Sequence, residues 1–349
     1  MAKKKKSTPS YAAILILISI FLVAAGIKVY DDLLADNINA DVEGTAVLYM
    51  HSRKTLDENL NMPDNKVLLR NADALLRIIR IFGYSDMIRP GRYEFEKGTN
   101  NLKLLRALVT GAQKPMDITF KYAERTTDLV NFWCTRLEAD SQELTALLDT
   151  ADLSGYGLGR FQNIALFIPN TYNFYWNTSA DELLVRMQKE YATFWDSTRT
   201  QKAALLGLQK GEVFTLASIV QKETAKRAEM PRIAGVYYNR LNKDMLLQAD
   251  PTVLFVVNDK RVKRVGGAML NIQSPYNTYK FKGLPPGPIC IPDTRTVDAV
   301  LNLEQHTYLY FCAREDFSGY HNFASNFSEH QKNAYRFQRA LTNRGVLIQ

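Results

Sequence analysis

The sequence predicts an α+β protein built from an N-terminal transmembrane helix, a small α+β subdomain and a larger mixed α/β domain. An uncharged apolar stretch follows a run of four lysines near the N-terminus. Short alternating segments and amphipathic segments then succeed one another up to about residue 120. The 349 residues are 46% hydrophobic, which is enough apolar material for one or two folded domains with a core.

The composition excludes several classes of function. The formal net charge is +8, but four of those charges are the lysines at 3–6, which argues against a dedicated nucleic-acid surface. The three cysteines and four histidines show no metal-ligand spacing, and there is no glycine-rich phosphate loop. We therefore expect no metal, no cofactor and no nucleic-acid partner.

The N-terminus predicts a single-pass membrane anchor. We expect a basic tail at 1–10, a transmembrane helix at 11–29, long enough to span about 30 Å of hydrocarbon, and a linker at 30–43. Lysines before the helix and aspartates after it favour a cytoplasmic N-terminus, with the rest of the chain outside the plasma membrane. A signal peptide cleaved after 23–25 is the alternative, but the apolar run exceeds the usual length of such a peptide.

The small subdomain is predicted to occupy 44–120. Its helices alternate with strands, and glycine or asparagine residues mark the helix ends. The predicted elements are a strand at 45–50, a helix at 65–82 stopped by Gly83, a strand at 92–96, a helix from Asn100 to Gly111, and a strand at 116–120.

The larger domain, 121–349, contains one conspicuous carboxyl group. At about 3.6 residues per turn, Leu216, Ile219, Val220 and Glu223 fall on the same helix face. Burial would raise the pKa of Glu223, as a general acid working near neutral pH requires. The alternative is that Glu223 forms an ordinary ion pair with Arg227, four residues further on.

Five polar motifs follow one another between residues 216 and 289. They read LASIVQKET at 216–224, YNRL at 238–241, LQADPTV at 247–253, SPYNTY at 274–279 and GLPPGPI at 283–289. Stiff loops that carry Gln, Asp, Asn and Tyr suit a site that hydrogen-bonds a sugar. Taken singly, each motif is better explained by turn formation than by a sugar-binding site.

In this order the five motifs resemble the YceG-like endolytic murein transglycosylases. The resemblance implies a LysM-like fold for 44–120 and a YceG-like catalytic domain for 121–349. It also implies cleavage of the bond between N-acetylmuramic acid and N-acetylglucosamine in nascent peptidoglycan, leaving 1,6-anhydro ends and ending polymerisation. Peptidoglycan synthases are then expected partners, and Glu223 falls on the family's catalytic glutamate.

The resemblance and the chemistry together suggest the remaining site residues. Asp250 is expected to stabilise positive charge at the anomeric carbon, while Gln248 and Asn277 orient sugar hydroxyl or N-acetyl groups. The full set of substrate-binding candidates is Asn239, Gln248, Asp250, Tyr276, Asn277 and Tyr279. His321 and His330 are weaker candidates for the lining of the same cleft.

The chain also departs from the family's usual motifs. IALFIPNTY at 164–172 stands where the family has EGYLFPDTY, so that Ile164 and Asn170 replace two acidic residues. YAER at 122–125 replaces a Pro-Glu-Gly, and CIPD at 290–293 replaces an Asn-Pro-Gly. These changes support a second hypothesis, an inactive membrane-tethered module that binds peptidoglycan without cutting it.

The anchor prediction can be checked on protein extracted from membranes. We expect mass spectrometry to find residues 1–27 still attached, because the apolar run is too long for a signal peptide. A soluble mature form beginning near Gly26 would instead show that the segment is cleaved.

Overall fold

The computed structural model describes residues 11–39, 44–262 and 264–345. The predicted basic tail at 1–10 lies outside the described residues. The chain forms two compact units, one from residues up to 117 together with 173–178, the other from 118–172 and 179 onward. Helices and strands are both present in the described chain, which confirms the α+β class.

The first helix, α1 (Tyr11–Leu34), is long and apolar enough to cross a membrane, with a mean hydropathy of 2.6 over its most apolar 18 residues. It runs past the predicted end of the anchor at 29. Its last turns belong to the first unit, because Asp32 lies 2.9 Å from the Lys28 amine and 3.0 Å from the Arg77 guanidinium. The Asn101 amide also donates to the Asp32 carbonyl at 2.8 Å.

The predicted linker is therefore ordered over most of its described length. Residues 30–34 continue α1, and Asp36 and Ile38 form isolated bridges to Asn100 and Leu69. Ile38 is completely buried, which explains why this stretch packs instead of remaining free. The rest of the predicted linker, 40–43, lies outside the described residues.

The first unit contains one antiparallel strand pair with helices packed on it. Its further elements are β1 (Thr45–Met50), α2 (Leu56–Leu60), α3 (Pro63–Leu68), α4 (Ala72–Ile81), β2 (Gly91–Glu96) and α5 (Asn101–Thr110). β1 pairs with β2 from Thr45↔Glu96 to Met50↔Gly91, which confirms both predicted strands. The predicted helix α5 is also confirmed, with Asn100 as its N-cap and left-handed Gly111 at its end.

The single helix predicted at 65–82 is wrong, because the structure has two helices there. α3 ends at Leu68, and Asn71 begins α4 by accepting a hydrogen bond from the Ala74 N–H. An asparagine side chain competes for backbone donors in this way, so that it favours a new helix start over a continuous helix. The apolar periodicity continued across the break and concealed it.

The second unit is more helical than the predicted mixed α/β domain. The predicted strand at 116–120 is confirmed as β3, which forms a two-stranded sheet with β4. The remaining elements are β3 (Met116–Phe120), α6 (Thr126–Cys134), α7 (Ser141–Thr150), β4 (Asn170–Phe174), α8 (Ala180–Phe194), α9 (Ser197–Leu205), α10 (Lys210–Glu223), α11 (Met230–Asn242), α12 (Asp250–Val257), α13 (Thr294–Leu301), β5 (Tyr310–Ala313), β6 (His321–Ala324) and α14 (Phe327–Asn343). Of these elements, the first two residues of β3 and the last two of β4 are counted with the first unit.

Helix α10 is the centre of the second unit. It packs against α11, α12 and α13, and residues 213–220 are all buried. An interior helix of this kind needs apolar side chains around most of its circumference, which the segment VFTLASIV supplies. The helix therefore holds its last residue, Glu223, in a fixed position relative to its neighbours.

Two polar side chains of α10 attach the chain that follows the proline-rich loop. The Ser218 hydroxyl accepts a hydrogen bond from the Ile289 N–H at 3.0 Å and donates to a carbonyl of its own helix. Gln221 Oε1 accepts from the Asp293 N–H at 2.6 Å and from the Thr296 hydroxyl at 3.1 Å. The loop at 283–288 is thus tied at its end to the helix that carries Glu223.

Replacing Ser218 with alanine should destabilise the second unit. The buried Ile289 N–H would lose its acceptor, so we expect Ser218→Ala to lower the free energy of unfolding by about 1–3 kcal/mol. Ser197→Ala, at an exposed serine, is the control and should change it by less than about 0.5 kcal/mol. Denaturant unfolding of the full-length protein in detergent measures both, and equal effects would show that the Ser218 bond does not hold the loop.

Candidate active site

A cavity of about 390 Å³ opens at the end of α10, and we call it the Glu223 cavity. The end of α10, helices α11 and α14, strand β5 and the start of α12 all contribute to it. Its lining consists of Glu223, Tyr237, Arg240, Leu247, Gln248, Asp250, Tyr279, Tyr310, Phe311, Cys312, Ala313, His321, Phe327 and His330. Among the described residues no group of acidic, histidine and cysteine side chains could hold a metal ion.

Glu223 has the environment of a general acid. The hydroxyl of Tyr237 donates a hydrogen bond to Glu223 Oε1 at 2.5 Å. Burial raises the pKa of Glu223 to about 7, against the lowering effect of the Tyr237 bond. The nearby carboxylate of Asp250 raises it further, and the Arg240 guanidinium opposes that change. A carboxyl group with such a pKa holds a transferable proton near neutral pH.

The alternative ion pair between Glu223 and Arg227 does not form among the described residues. Helix α10 ends at Glu223, and Thr224 is extended with φ −145° and ψ 142°. Arg227 therefore belongs to a separate turn instead of the next turn of the same helix. A spacing of four residues brings two side chains together only within a continuous helix, so it does not place Arg227 next to Glu223 here.

Arg240 lines the Glu223 cavity and holds two of its neighbouring segments by hydrogen bonds. It is 8% exposed, and its guanidinium donates to the carbonyls of Leu247 at 2.8 Å and Leu309 at 2.6 Å. Burial lowers the pKa of Arg240, and neighbouring tyrosines and Glu223 oppose that effect. One charged side chain thus connects the segment before α12 with the segment before β5.

Gln248, Asp250 and Tyr279 line the Glu223 cavity as a group. Gln248 adopts φ 51°, a left-handed conformation that costs a residue with a side chain about 1–2 kcal/mol. Its N–H bonds the Thr278 carbonyl at 3.0 Å, which fixes the segment in place. The Tyr279 hydroxyl donates to Asp250 Oδ1 at 2.5 Å and so orients the carboxylate at the start of α12.

Three of the predicted substrate-binding residues do not reach this cavity. Asn277 is completely buried, and its amide donates to the carbonyls of Leu270 and Ile272. The Asn239 amide donates to the carbonyls of His306 and Tyr308.

Tyr276 instead lines a separate cavity, where its ring lies 5.0 Å from that of Phe255.

Asn277 and Asn239 stabilise loops, because their side-chain amides bond backbone carbonyls of other segments. Asparagine side chains bond backbone groups readily, so their presence in a motif does not by itself indicate a ligand contact.

The two histidines reach the cavity from different elements, His321 from strand β6 and His330 from helix α14. His321 Nδ1 and its backbone N–H both lie 3.0 Å from the carboxylate of buried Glu229. Burial lowers the pKa of His330, with a smaller contribution from Arg240, and its Nδ1 is enclosed without a hydrogen-bond partner among the described residues. Both histidines line the cavity, as the sequence suggested.

Eight lining residues were not among the predicted candidates, namely Tyr237, Arg240, Leu247, Tyr310, Phe311, Cys312, Ala313 and Phe327. Tyr237 and Arg240 lie three residues apart on α11, and Tyr310 and Phe311 lie on β5. The spacing of Tyr237 and Arg240 on one helix face was the available signal. This spacing alone does not show that the two residues face Glu223, because the sequence does not tell which face of α11 packs toward it.

The chain belongs to the YceG-like family, whose model matches residues 50–336. The endolytic murein transglycosylase of Bacillus subtilis is 27% identical over 330 residues, covering 89% of this chain and 90% of that protein. The endolytic murein transglycosylase of Streptococcus pneumoniae is 29% identical over 287 residues. That match covers 72% of this chain but spans only half the length of the pneumococcal protein.

A crystal structure also has this fold. It is described as that of a YceG-like protein of Listeria monocytogenes, with 23% sequence identity and a TM-score of 0.52. The match covers 82% of this chain and 98% of that chain. It supports the architecture described above.

The raised pKa of Glu223 predicts a pH-dependent stability. An exposed glutamate has a pKa near 4.5, so the folded protein holds the Glu223 proton more tightly than the unfolded chain does. This stabilisation is full below about pH 4.5 and is lost as the pH rises through about 7. We expect the stability of Glu223→Gln relative to wild type to increase from pH 5 to pH 8 by about 1–3 kcal/mol.

Chemical denaturation of the full-length proteins at the two pH values measures this difference. Glu96→Gln, at an exposed glutamate of the first unit, is the control for the loss of one carboxyl group. A relative stability that does not change with pH would mean that Glu223 ionises as an ordinary surface glutamate does.

Proposed function

We propose that this protein is an endolytic murein transglycosylase in which Glu223 is both the general acid and the general base. The observation that carries the proposal is the carboxyl group of Glu223, whose pKa burial raises to about 7 and which lines a cavity at the end of α10. The family membership and the two relatives named as endolytic murein transglycosylases support it.

In the first step Glu223 protonates the leaving oxygen of the bond between N-acetylmuramic acid and N-acetylglucosamine. Tyr237 occupies Oε1 of Glu223 with a hydrogen bond, so Oε2 is the oxygen left to carry the proton. The anomeric carbon gains positive charge as the bond breaks. The carboxylate of Asp250, oriented by Tyr279, is the group that we assign to stabilise this charge.

In the second step the C6 hydroxyl of the same muramic acid attacks its anomeric carbon. The proton of that hydroxyl passes to Glu223, which is thereby restored, and the product is a 1,6-anhydro end. Hydrolytic glycosidases need two carboxyl groups because one must activate a water molecule or attack the sugar. An internal hydroxyl as nucleophile removes that need, so Glu223, with its pKa raised to about 7, can perform both proton transfers.

The competing hypothesis of an inactive peptidoglycan-binding module is less well supported. It rests on Ile164 and Asn170, which replace acidic residues of the family motif. Neither residue lines the Glu223 cavity, and Glu223, Gln248 and Asp250 are all retained there. The departures therefore leave the proposed chemistry in place.

The anchor sets where the enzyme would act. We assign the N-terminus to the cytoplasm and both units to the outer side of the plasma membrane, as the flanking charges indicate. A tethered enzyme meets nascent strands first, so that cutting them would end polymerisation and make peptidoglycan synthases its natural partners. The pair β1 and β2, separated in the chain by α2, α3 and α4, supports assigning a LysM-like fold to the first unit.

The decisive experiment analyses the new ends. Full-length protein in detergent is incubated with uncrosslinked glycan strands in oxygen-18 water, and the products are examined by mass spectrometry. We expect anhydro ends without the heavy isotope, formed within long strands. Glu223→Gln should lower the cleavage rate by at least about a hundredfold, because it cannot supply the proton.

Each alternative gives a different product. Reducing ends that contain the heavy isotope would mean hydrolysis and would overturn the transglycosylase assignment. Anhydro products released only from strand tips would remove the endolytic character. If wild-type protein released nothing, the binding module would be the better description.

A further inference from the structure

The second unit contains another cavity, of about 310 Å³, which we call the Arg125–Arg160 cavity. It is separate from the Glu223 cavity and has no part in the proposed chemistry. Its lining combines two arginines with three aromatic rings, those of Phe161, Phe255 and Tyr276. Phe161 is 61% exposed, so that a large apolar ring stands open to a ligand.

The guanidinium of Arg125 has a fixed orientation at this cavity. Its guanidinium lies 4.3 Å from the centre of the Phe255 ring and donates a hydrogen bond to the Phe255 carbonyl. Stacking and one hydrogen bond fix the plane of the guanidinium and leave its other N–H groups without acceptors among the described residues. A fixed guanidinium fork is well suited to a carboxylate.

Arg160 adds a second free positive charge. Besides a contact at 5.9 Å with the ring of Phe161, its guanidinium has no partner among the described residues. Thr126 and Thr127 bring the N-terminal turn of α6 to the same cavity, where backbone N–H groups also favour an anion.

The acidic groups of the cavity reduce this positive charge but do not cancel it. Glu124 is neutralised by the Lys222 amine at 3.4 Å. Asp149 is the other carboxylate in the lining, and it has no ion-pair partner among the described residues. Ile164 lines the cavity at a position where the family motif has an acidic residue, which removes one further negative charge. The site thus favours a ligand with a carboxylate and tolerates an amine beside it.

Helix α12 connects the two cavities. Asp250, its first residue, lines the Glu223 cavity, and Phe255 lines the Arg125–Arg160 cavity. The two residues are five positions apart, which is about 7.5 Å along the helix axis and about 140° around it, so the cavities border different faces of the same short helix. A stem of four residues, at about 3.3 Å per extended residue, is about as long as a helix is wide and has the length to pass from one face to the other.

We propose that the Arg125–Arg160 cavity binds the peptide stem that murein carries on its muramic acid, through a free carboxylate of that peptide. The inference rests on the proposed function. The glycan itself is uncharged once its lactyl groups are joined to peptide, so the sugar chain alone offers no negative charge to the two arginines. The stem offers carboxylates to the arginines, small apolar side chains to the aromatic rings and, in its diamino acid, an amine to Asp149.

Titration of the full-length protein in detergent with synthetic stem tetrapeptides tests this site without turnover. One peptide keeps its free carboxylates, and the other has them converted to amides. We expect the free acid to bind at least about tenfold more tightly, because charge-assisted hydrogen bonds to arginine are lost in the amide. Arg160→Gln should abolish most of this difference, and Arg339→Gln, at an exposed arginine of α14, should preserve it.

Glycan digestion supplies an independent comparison. Wild-type kcat/KM should be higher for strands that carry stems than for strands stripped of them, and Arg160→Gln should reduce that ratio about tenfold through KM. Equal affinity for the two peptides, no binding of either, or a ratio unchanged by Arg160→Gln would overturn the peptide site. Failure of the proposed function would appear differently, as the absence of anhydro ends from both kinds of strand.

Discussion

The desolvation of the Glu223 carboxyl group is the constraint on which the proposed site depends. Eight successive residues of α10 are buried before it, so the helix carries this side chain from the core of the second unit to the wall of the Glu223 cavity. The carbonyl groups at the C-terminal end of a helix also carry partial negative charge, which disfavours an ionised glutamate there. Position and burial therefore act on the proton in the same direction.

The neighbours of Glu223 adjust this effect and do not cancel it. Tyr237 and Arg240 favour the ionised form, while Asp250 disfavours it. A group that must give up a proton and then take one back needs both forms to be accessible near working pH. The opposing contacts supply that balance, and Arg240 does so without forming an ion pair with Glu223, because its hydrogen bonds are committed to backbone carbonyls.

The sequence pointed to Glu223 more directly than to the residues around it, for a physical reason. Leu216, Ile219 and Val220 form a periodic apolar stripe, and a carboxyl group at the next position of that stripe is visible without any structure. In the YNRL motif, by contrast, Asn239 and Arg240 differ by one position, and only the packing of α11 decides which of them faces the cavity. A local sequence pattern shows which residues share a helix face but not which part of the protein that face packs against.

The same limitation applies to the loops and to the linker. Gln248 and Asp250, at the start of α12, line the Glu223 cavity as expected, but Asn277 in a comparable polar motif turns inward and bonds the carbonyls of Leu270 and Ile272. The several aspartates near 31–41 suggested a linker without packed structure. The structure instead buries Ile38 between them and pairs Asp32 with Arg77, two contacts that depend on residues distant in the chain.

The continuity of α1 with the first unit has a mechanical consequence. A flexible tether would let the first unit rotate freely above a bilayer, whereas a helix that is long enough to cross a membrane and is fastened by Asp32 and Asn101 would restrict that rotation. The tilt of α1 in the lipid and the orientation of the first unit then become one variable. A glycan strand pulling on this unit would exert a torque on the helix, and a change in bilayer thickness would turn the unit relative to the membrane plane.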